Sequence, residues 1–316
     1  MSEHVLVTGG AGFIGSHVAE AYVAAGHAVT VLDNLSSGRR ENVPSDANFV
    51  EADVRSPEAK DLLSGGDFSV INHHAAQMDV RVSVADPEFD AQVNILGLLN
   101  LLEGGRAGGV RRIVFASSGG VVYGESDALP HREGARKLPV SPYGVSKLAS
   151  EFYLASYAQL HGLEVVSLRY ANVYGPRQSP HGEAGVVAIF GSRARRGEGI
   201  TVYGDGSQTR DYVYVGDVAR ANVEATTCTL SAIHTIDDVA YNVGTSVETS
   251  VNDLAALLLE AAGANVPITN APARPGELHR SSVDVSRAAH EWNWRPDVPV
   301  AVGLKQTYDW IVEEAK

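Results

Sequence analysis

Short apolar runs rich in β-branched residues alternate with longer amphipathic segments over the first half of the chain. Runs of this length between turn residues are typical of buried strands, whereas apolar residues that recur every three or four positions predict helices. The predicted strands are Val5–Val7, Ala28–Leu32, Asn48–Glu51, Ser69–Asn72, Arg112–Phe115 and Glu164–Leu168. Strand and helix in alternation predict a parallel sheet covered by helices on both faces.

Two of the helical segments are apolar over more of their circumference than contact with a sheet requires. They run from about Pro87 to Glu103 and from about Tyr143 to His161. A second buried face on each helix would follow if the helices paired between two copies of the chain. Burial under a C-terminal lobe is the alternative that this pattern leaves open.

The regular alternation ends after about residue 172. Loops rich in Gly, Pro and Arg follow at Tyr174–Gly185, Tyr203–Asp211 and Pro272–Arg280, as expected where a binding lobe meets a first domain. We predict an α/β chain with a Rossmann-type doubly wound sheet over residues 1–172, including a return segment at about 213–243. A smaller C-terminal α/β lobe is predicted over residues 173–316.

Composition narrows the classes of function. The 316 residues are 44% hydrophobic and 20% charged, as in an ordinary globular protein. The formal net charge of −13 argues against a nucleic-acid partner, which would require a basic stripe. The single cysteine, Cys228, excludes an intrachain disulfide framework and a Cys-rich zinc site, and no metal is predicted.

The first apolar run lacks a basic lead, and no stretch of about 18 apolar residues could cross a bilayer, so we expect a cytoplasmic protein without a membrane partner.

A glycine-rich turn follows the first predicted strand directly and opens a helix. Gly9, Gly12 and Gly15 permit a tight turn, a close approach of the backbone to a pyrophosphate, and close helix–strand packing. Asp33 ends the second strand, where a carboxylate accepts hydrogen bonds from the adenosine ribose hydroxyls and repels a 2′-phosphate. The pattern predicts NAD as the cofactor. A purely structural glycine turn is the alternative, and the strand, the helix and the acid at their expected positions count against it.

Two features near this turn leave alternatives open. Arg39 and Arg40 follow the predicted ribose acid closely and would suit a 2′-phosphate, so NADP is a minor alternative. Asp53 ends the third strand, where it is placed to reach the adenine amino group with Val54 against the ring. An N-cap role for Asp53 in the helix that follows fits the sequence equally well.

Tyr143 and Lys147 form a Tyr-x-x-x-Lys pair at the start of a predicted helix, where Ser141 suits the N-cap and Pro142 the first turn. Positions i and i+4 lie on one helix face, so both side chains can address one ligand. A free tyrosine has a pKa of about 10. A neighbouring ammonium and a positive nicotinamide ring both favour the phenolate, which makes Tyr143 a candidate base. An exposed i,i+4 pair is the structural alternative.

In this order, these motifs resemble the extended short-chain dehydrogenase/reductase family, and most of all its NAD-dependent nucleotide-sugar 4-epimerases. The resemblance extends from Val5 to about Trp310. It implies that Lys147 holds the nicotinamide ribose, and that two copies form a homodimer through the two apolar helices. The cofactor-binding residues that it implies, together with those derived above, are Gly9, Gly12, Phe13, Ile14, Gly15, Asp33, Asn34, Arg39, Asp53, Val54, His74, Ala75, Ala76, Gln77, Asn94, Ser117, Tyr143, Lys147 and Tyr170.

The end of the fifth strand departs from the family pattern. In the family a Ser or Thr commonly stands four residues before the equivalent of Tyr123 and binds the reacting sugar oxygen, but this chain has Gly119 there. We predict that Ser118 takes the catalytic role, with Ser117 or a water molecule as alternatives; Ser118 could also simply satisfy the strand end. Related 4,6-dehydratases carry Thr-Asp-Glu before the catalytic tyrosine, and decarboxylating relatives carry a glutamate. Residues 119–121 supply no such acid.

Three segments of the second lobe resemble nucleotide-sugar-binding signatures of the family: Tyr170–Arg177, Tyr203–Tyr212 and Ala273–Glu277. They imply an asparagine and two arginines on the diphosphate and a glutamate on the nucleoside ribose. The predicted substrate-binding residues are Ser118, Gly119, Tyr143, Asn172, Val187, Tyr203, Arg210, Arg274 and Glu277. Taken singly, each arginine also fits an ordinary surface charge. Ser281 aligns with a position that crowds the sugar pocket, and its small side chain predicts tolerance of N-acetylhexosamines.

The resemblance implies a UDP-hexose substrate and interconversion of UDP-glucose and UDP-galactose through a transient 4-keto sugar. A 4,6-dehydratase or decarboxylase is the nearest alternative, disfavoured by the missing acids. A dehydrogenase that releases NADH is a further alternative. A non-catalytic NAD-binding regulator is the alternative of another class, and the Tyr143–Lys147 pair argues against it because a regulator needs neither residue.

Overall fold

The computed structural model describes residues 2–126, 128–180, 185–230, 232–273 and 278–315. Within these residues, strands β1 to β14 are His4–Thr8, Ala28–Asp33, Asn48–Glu51, Val70–His73, Arg112–Ser118, Glu164–Tyr170, Asn172–Tyr174, Ile200–Tyr203, Thr209–Arg210, Tyr212–Tyr214, Ala240–Val243, Thr249–Ser250, Ile268–Ala271 and Arg280–Ser281. Helices α1 to α12 are Phe13–Ala24, Pro57–Gly65, Val80–Ala85, Pro87–Ala91, Gly97–Gly108, Gly119–Val122, Pro142–His161, Val186–Arg195, Val215–Thr227, Val251–Ala262, Ser286–Trp292 and Val300–Glu313.

The main sheet contains seven of the described strands, all parallel, in the order β11-β6-β5-β4-β1-β2-β3. All six strands predicted from the sequence lie in it, and the predicted α/β class with a doubly wound sheet is confirmed. The seventh strand, β11, comes from within the segment predicted to return at about residues 213–243. The direction of winding reverses between β1 and β4, and ligands of such sheets bind at the carboxyl ends of the strands beside that reversal.

Helices cover both faces of the sheet because its central strands are buried and mostly apolar on both sides. On one face α2 packs against α5 over a core that includes Leu6, Leu63 and Leu98. On the other face α1 packs against α9, which belongs to the predicted return segment, over a core that includes Val18 and Ala219. Helices on both faces leave only the strand ends open to a ligand.

The two strongly apolar helices differ from their predicted form in one respect. The segment predicted as one helix from Pro87 is α4, a π-helical turn at Gln92–Leu96, and α5, which ends at Gly109 in the left-handed region (φ +80°). The lobe does not cover the outer faces of these helices: Leu96, Phe152 and Leu160 are 56%, 58% and 73% exposed. The alternative of burial under the lobe is therefore wrong.

The smaller lobe is built from short strand pairs and three helices. The strand pairs are β7 with β10 and β8 with β13, and β9 lies between β12 and β14. Helices α8, α10 and α12 pack together around an apolar core that includes Phe190, Leu254, Leu258 and Leu304. None of the described helices combines the length and the hydropathy needed to cross a bilayer.

Candidate active site

The glycine turn between β1 and α1 is fixed by backbone contacts that allow no side chains. Gly9 adopts φ +69°, and a Cβ there would lie 2.6 Å from the Ala75 nitrogen. A Cβ on Gly15 would lie 2.2 Å from the Gly9 carbonyl oxygen, while the Gly12 N–H donates to that same oxygen at 3.1 Å. The turn, the start of α1 and the β4 edge are thus in direct backbone contact, so Gly9 and Gly15 cannot be replaced without moving the chain.

The N-terminus of α1 faces this turn without a side-chain cap among the described residues. Phe13 and Ile14, both half-buried, begin the helix, and the first N–H groups of any helix have no acceptor within it. An uncapped helix N-terminus against a glycine turn fits a pyrophosphate. The arrangement therefore satisfies what the predicted dinucleotide requires at this end.

Asp33 closes the far side of the turn. Its carboxylate accepts hydrogen bonds from the backbone N–H of Ala11 at 3.0 Å and of Leu35 at 2.8 Å. Arg39 donates its backbone N–H to the Ala11 carbonyl, while its guanidinium forms an exposed ion pair with Glu314. The acid and the turn are therefore one unit, whereas the Arg39 side chain is directed to the C-terminal helix.

A cavity of about 660 Å³ adjoins this unit and is lined by Arg39, Glu41, Asn42, Arg177, Trp310 and Glu314.

The alternative of Asp53 as a helix cap is wrong, because Ser56 caps α2 and accepts the Ala59 N–H. Asp53 instead pairs with Arg55 and accepts a bond from Asn34 at 3.0 Å. The hydrogen bonds from Arg55 lower the pKa of Asp53 to about 2. Val54 is buried beneath this pair. Asp53 is thus an ionised, partly exposed carboxylate at the end of β3, beside the exposed Asn34.

His74 lies at the carboxyl end of β4 within a buried polar chain. Its Nε2 lies 3.1 Å from the Tyr170 hydroxyl, to which Asn222 donates at 2.8 Å. Burial, with a smaller contribution from Lys147, lowers the pKa of His74 to about 3, so its imidazole is neutral. The other ring nitrogen, Nδ1, is buried and has no partner within the described part of the chain. The hydroxyl of Tyr170 is engaged, which leaves its ring face as the part that a cofactor could contact.

Gln77 and Asn94 hold the turn after β4 by reciprocal hydrogen bonds. Asn94 Oδ1 accepts the Gln77 backbone N–H at 3.0 Å, and Asn94 Nδ2 donates to the Gln77 carbonyl at 2.9 Å. Asn94 stands in the π-helical turn, a feature that often marks functional sites. The predicted residues Ala75 and Ala76 lie in the turn that this pair fixes, so Asn94 acts on the turn rather than only on a ligand.

Tyr143 and Lys147 begin α7, where Ser141 accepts the Gly144 N–H as predicted for the N-cap. Lys147 Nζ lies 5.8 Å from the centre of the half-buried Tyr143 ring and donates to the Ala116 carbonyl at 2.8 Å. Burial lowers the pKa of Lys147 to about 8, so the ammonium form persists at neutral pH. The alternative of an exposed surface pair is wrong because Lys147 is only 4% exposed.

The adjacent serines at the end of β5 have different surroundings. Ser117 is buried and its hydroxyl donates to Glu151 at 2.5 Å, whereas Ser118 is half-buried and caps α6 by position, without a side-chain cap bond among the described residues. A Cβ on Gly119 would lie 2.8 Å from a Val283 methyl group. Val283 thus occupies the space that a family hydroxyl at position 119 would need, and of the two serines Ser118 has the less committed hydroxyl.

The predicted substrate residues lie on several separate elements. Asn172 is exposed at the start of β7, and its Oδ1, like Ser118 Oγ, lies 3.9 Å from an ideal Cβ on Gly120. Val187 is buried in the core of the lobe, so only its backbone at the second position of α8 is available to a ligand. Tyr203 ends β8 and is exposed, and Arg210 lies in β9 paired with Ser281 of β14. Arg274 and Glu277 lie outside the described residues.

A sequence comparison now adds to this geometry. The NAD dependent epimerase/dehydratase family matches residues 5–244. The chain belongs to this family. Among its relatives, the UDP-glucose 4-epimerase of Mycolicibacterium smegmatis is 45% identical over 311 residues, 97% of each chain.

Two solved structures of this family resemble the fold over nearly its whole length. The UDP-glucose 4-epimerase of Thermotoga maritima, solved with UDP-glucose, is 42% identical with a TM-score of 0.94, covering 99% of this chain and 100% of that one. The UDP-glucose 4-epimerase of Thermus thermophilus, in complex with NAD, is 46% identical with a TM-score of 0.90, covering 98% and 99%. The resemblance to the extended dehydrogenase/reductases is confirmed, and NAD is the cofactor of this epimerase/dehydratase family.

Three buried groups around this site were not predicted from the sequence: Glu151, Asp90 and Val283. Glu151 forms a fully buried ion pair with Arg169 at 2.6 Å and holds Ser117, and Asp90 lies buried beneath the Gln77 turn. Glu151 stands four residues after Lys147, so its spacing was a usable signal. The signal for Asp90 was weaker, because it was only an acid on an otherwise apolar helical face. Nothing in the sequence pointed to Val283.

Proposed function

We propose that the protein is an NAD-dependent nucleotide-sugar 4-epimerase that interconverts UDP-glucose and UDP-galactose. The observation that carries the proposal is the buried Lys147 ammonium beside Tyr143, which donates to the Ala116 carbonyl near the carboxyl end of β5. The similarity to UDP-glucose 4-epimerases over nearly the whole chain supports the substrate class. We assign the cofactor to residues 1–172 with the return segment at 213–243, and the nucleotide sugar to the rest of residues 173–316.

The residues of the glycine turn and Asp33 hold the dinucleotide, with the pyrophosphate at the N-terminus of α1 and a ribose at the carboxylate. Bound there, NAD would supply the hydride acceptor and donor for C4 of the sugar. Lys147 favours the phenolate of Tyr143, which takes the proton of the 4-hydroxyl and later gives it back. Ser118 donates a hydrogen bond to the reacting oxygen. Asn172 and Arg210 keep the diphosphate in place while the transient 4-keto sugar turns.

The geometry of the β5 end favours epimerisation over water elimination or decarboxylation. Elimination needs an acid close to the reacting sugar, and residues 119–121 are Gly, Gly and Val. Val283 covers Gly119, the first of these glycines. The space beside Gly119 is therefore filled by an aliphatic side chain and not by an acid from another segment. Epimerisation needs no such acid, because Tyr143 moves the hydroxyl proton and bound NAD would accept and return the hydride.

Ser281 sets the width of the sugar pocket in this proposal. It is buried in β14, directly paired with Arg210 of β9. A small side chain at this position leaves room for a 2-acetamido group. We expect UDP-N-acetylglucosamine to be turned over at a rate comparable to UDP-glucose, and complete rejection of the acetylated sugar would contradict this part of the proposal.

One assay tests the reaction. Purified protein is incubated with UDP-galactose, with and without added NAD, and the products are followed by NMR. Formation of UDP-glucose without net absorbance of reduced nicotinamide supports the epimerase. A 4-keto-6-deoxy product would identify a dehydratase, net NADH would identify a dehydrogenase, and inertness with added NAD would leave a regulator.

We also propose a homodimer that pairs α5 and α7 with their copies in a second chain. Its support is the exposed apolar surface of α7 and of the π-helical turn that leads into α5, which includes Leu96, Phe152 and Leu160. Phe152→Glu combined with Leu160→Glu should convert a dimer into a monomer in sedimentation velocity. Val302→Glu, at a residue that is 47% exposed on α12, is the matched control and should leave the dimer intact. A wild-type monomer would refute the proposal.

A further inference from the structure

Asp90 is a fully buried carboxylate for which the proposed mechanism has no use. It lies on α4 and is 0% exposed. Its Oδ1 accepts hydrogen bonds at 3.0 Å from Gln77 Nε2 and from Asn94 Nδ2, and its Oδ2 accepts one at 2.6 Å from Ser146 Oγ. All three donors are neutral. A buried anion is costly unless it is both hydrogen-bonded and balanced by a positive charge, so the balancing charge must lie further away.

A cation follows one of these donors directly: Lys147 stands next to Ser146 in α7, and Asp90 raises the pKa of this lysine. Two hydrogen bonds tie α7 to the segment of Asp90 on either side of this lysine: Ser146 to the carboxylate, and Ser150 to the Asn94 carbonyl at 3.2 Å. The same carboxylate holds Gln77 in the turn after β4. Asp90 therefore joins the predicted cofactor turn to the helix that carries the predicted base.

Glu151 also raises the pKa of Lys147, but its contribution is smaller than that of Asp90. Glu151, one turn along α7, has its own cation in Arg169 at 2.6 Å. His73 and His74 at the end of β4 are neutral, because burial and the nearby ammonium keep the pKa of both imidazoles low. Asp90 is the largest influence that raises the pKa of Lys147 against the effect of burial.

We propose that Asp90 is a positioning residue: its carboxylate fixes the Gln77 turn against α7 and supplies the negative charge that keeps Lys147 an ammonium. This role rests on the proposed function, since it acts through the Tyr143–Lys147 pair. Asp90→Asn removes the charge and keeps the shape and the oxygen that accepts from Gln77 and Asn94, while its N–H group can donate to the Ser146 hydroxyl in place of the bond that Asp90 accepts. Asp90→Ala removes both, and Ser146→Ala removes one tether but keeps the charge.

The test compares these three variants with wild-type protein and with Glu88→Gln, a matched control that removes an exposed carboxylate from the same helix. Two quantities are measured against pH: kcat for UDP-galactose, and the Kd of NAD by calorimetry on protein freed of cofactor. The second readout does not depend on turnover. Because a bound ribose needs the ammonium, loss of the Lys147 proton should weaken NAD binding at the same pH at which kcat falls.

In Asp90→Asn the alkaline fall of both quantities should move about one pH unit lower. Asp90→Ala should show the same displacement and bind NAD about tenfold more weakly. In Ser146→Ala the fall should stay in place while kcat decreases about fivefold, the effect of one lost hydrogen bond. Glu88→Gln should match wild-type protein throughout.

An Asp90→Asn profile that coincides with wild type would overturn the proposal. If neither Asp90 variant folds, Ser146→Ala decides: a variant that matches wild type in kcat and in NAD affinity would refute the positioning role. If wild-type protein binds NAD but does not epimerise, the proposed function fails. The pH dependence of NAD affinity then still tests Asp90 by itself.

Discussion

The proposed nucleotide end and the proposed sugar end of the site are built in different ways. At the nucleotide end, β1, the glycine turn and α1 follow each other directly, and backbone contacts such as the 2.2 Å approach of a Gly15 Cβ to the Gly9 oxygen determine which residues fit. At the sugar end, Ser118, Tyr143, Asn172 and Ser281 come from four separate segments. The first end is a local motif, whereas the second depends on side chains brought together by the fold.

This difference predicts how each end responds to mutation. A change at the nucleotide end should reduce cofactor binding whatever the sugar, because the whole turn moves together. A change at the sugar end should affect the reaction or the fit of one group, and a second change elsewhere in the chain should be able to correct it. The following predictions test this distinction in order of expected effect.

Tyr143→Phe should lower kcat about 10³-fold, because the ring remains but the proton acceptor is lost. NAD affinity should stay within about threefold of wild type, since the phenol belongs to the sugar end. The measurement is UDP-galactose turnover together with calorimetric titration of NAD. Tyr153→Phe, on the same helix at a residue that is 42% exposed, is the control and should retain full activity. Undiminished turnover in Tyr143→Phe would remove the basis of the proposed mechanism.

Gly15→Ala should weaken NAD binding roughly 100-fold, which corresponds to about 3 kcal/mol. The added Cβ would collide with the Gly9 carbonyl oxygen, which is backbone and not a movable side chain. The backbone of the glycine turn must therefore move away from α1. Gly65→Ala, whose Cβ would meet no atom within 4 Å, is the matched control. Calorimetric titration of NAD gives both affinities. Equal affinities in the two variants would show that the turn is not a rigid local unit.

Gly119→Ser should lower the free energy of unfolding by about 1–3 kcal/mol, because its Cβ would lie 2.8 Å from a Val283 methyl group. Adding Val283→Ala should recover about 1 kcal/mol beyond the sum of the single changes. Gly120→Ala, where a Cβ has only contacts at 3.9 Å, is the control for stability. Urea unfolding is measured for wild type, Gly119→Ser, Val283→Ala, the double variant and the Gly120→Ala control. Strictly additive effects would contradict direct competition between the hydroxyl and Val283.

The smallest expected effect is on the pH dependence of stability. Burial lowers the pKa of Lys147 from 10.5 to about 8, so the folded protein releases this proton before the unfolded chain does. The cost of burying the ammonium is therefore present below pH 8 and is lost between about pH 8 and 10.5, and stability rises over that window relative to a protein without the lysine. Comparison of wild-type and Lys147→Met unfolding at pH 7.5 and 9.5 should show this gain only in wild type. Activity should fall over the same range, and parallel stability curves would contradict the lowered pKa.

Much of the fold could be predicted because its signals are local. Six parallel strands, the glycine turn and the cap of α7 at Ser141 all depend on residues close together in the chain, and all appear in the structure. The strand β11 and the π-helical turn around Asn94 were not specified in this way. The first is a short buried run in an irregular region, and the second arises from packing of Asn94 against the distant Gln77.

The candidate site divides along the same line. The sequence by itself determined the residue types of the chemistry: glycines for a phosphate turn, an acid at the end of β2, and a tyrosine and lysine one helical turn apart. Only the tertiary structure decided that Ser117 is committed to Glu151, that Val283 takes the space beside Gly119, and that Asp90 joins the Gln77 turn to Ser146 of α7. The reason is physical: a motif follows from bond geometry over a few residues, whereas the partner of a buried hydroxyl, methyl group or charge depends on which distant segments pack against it.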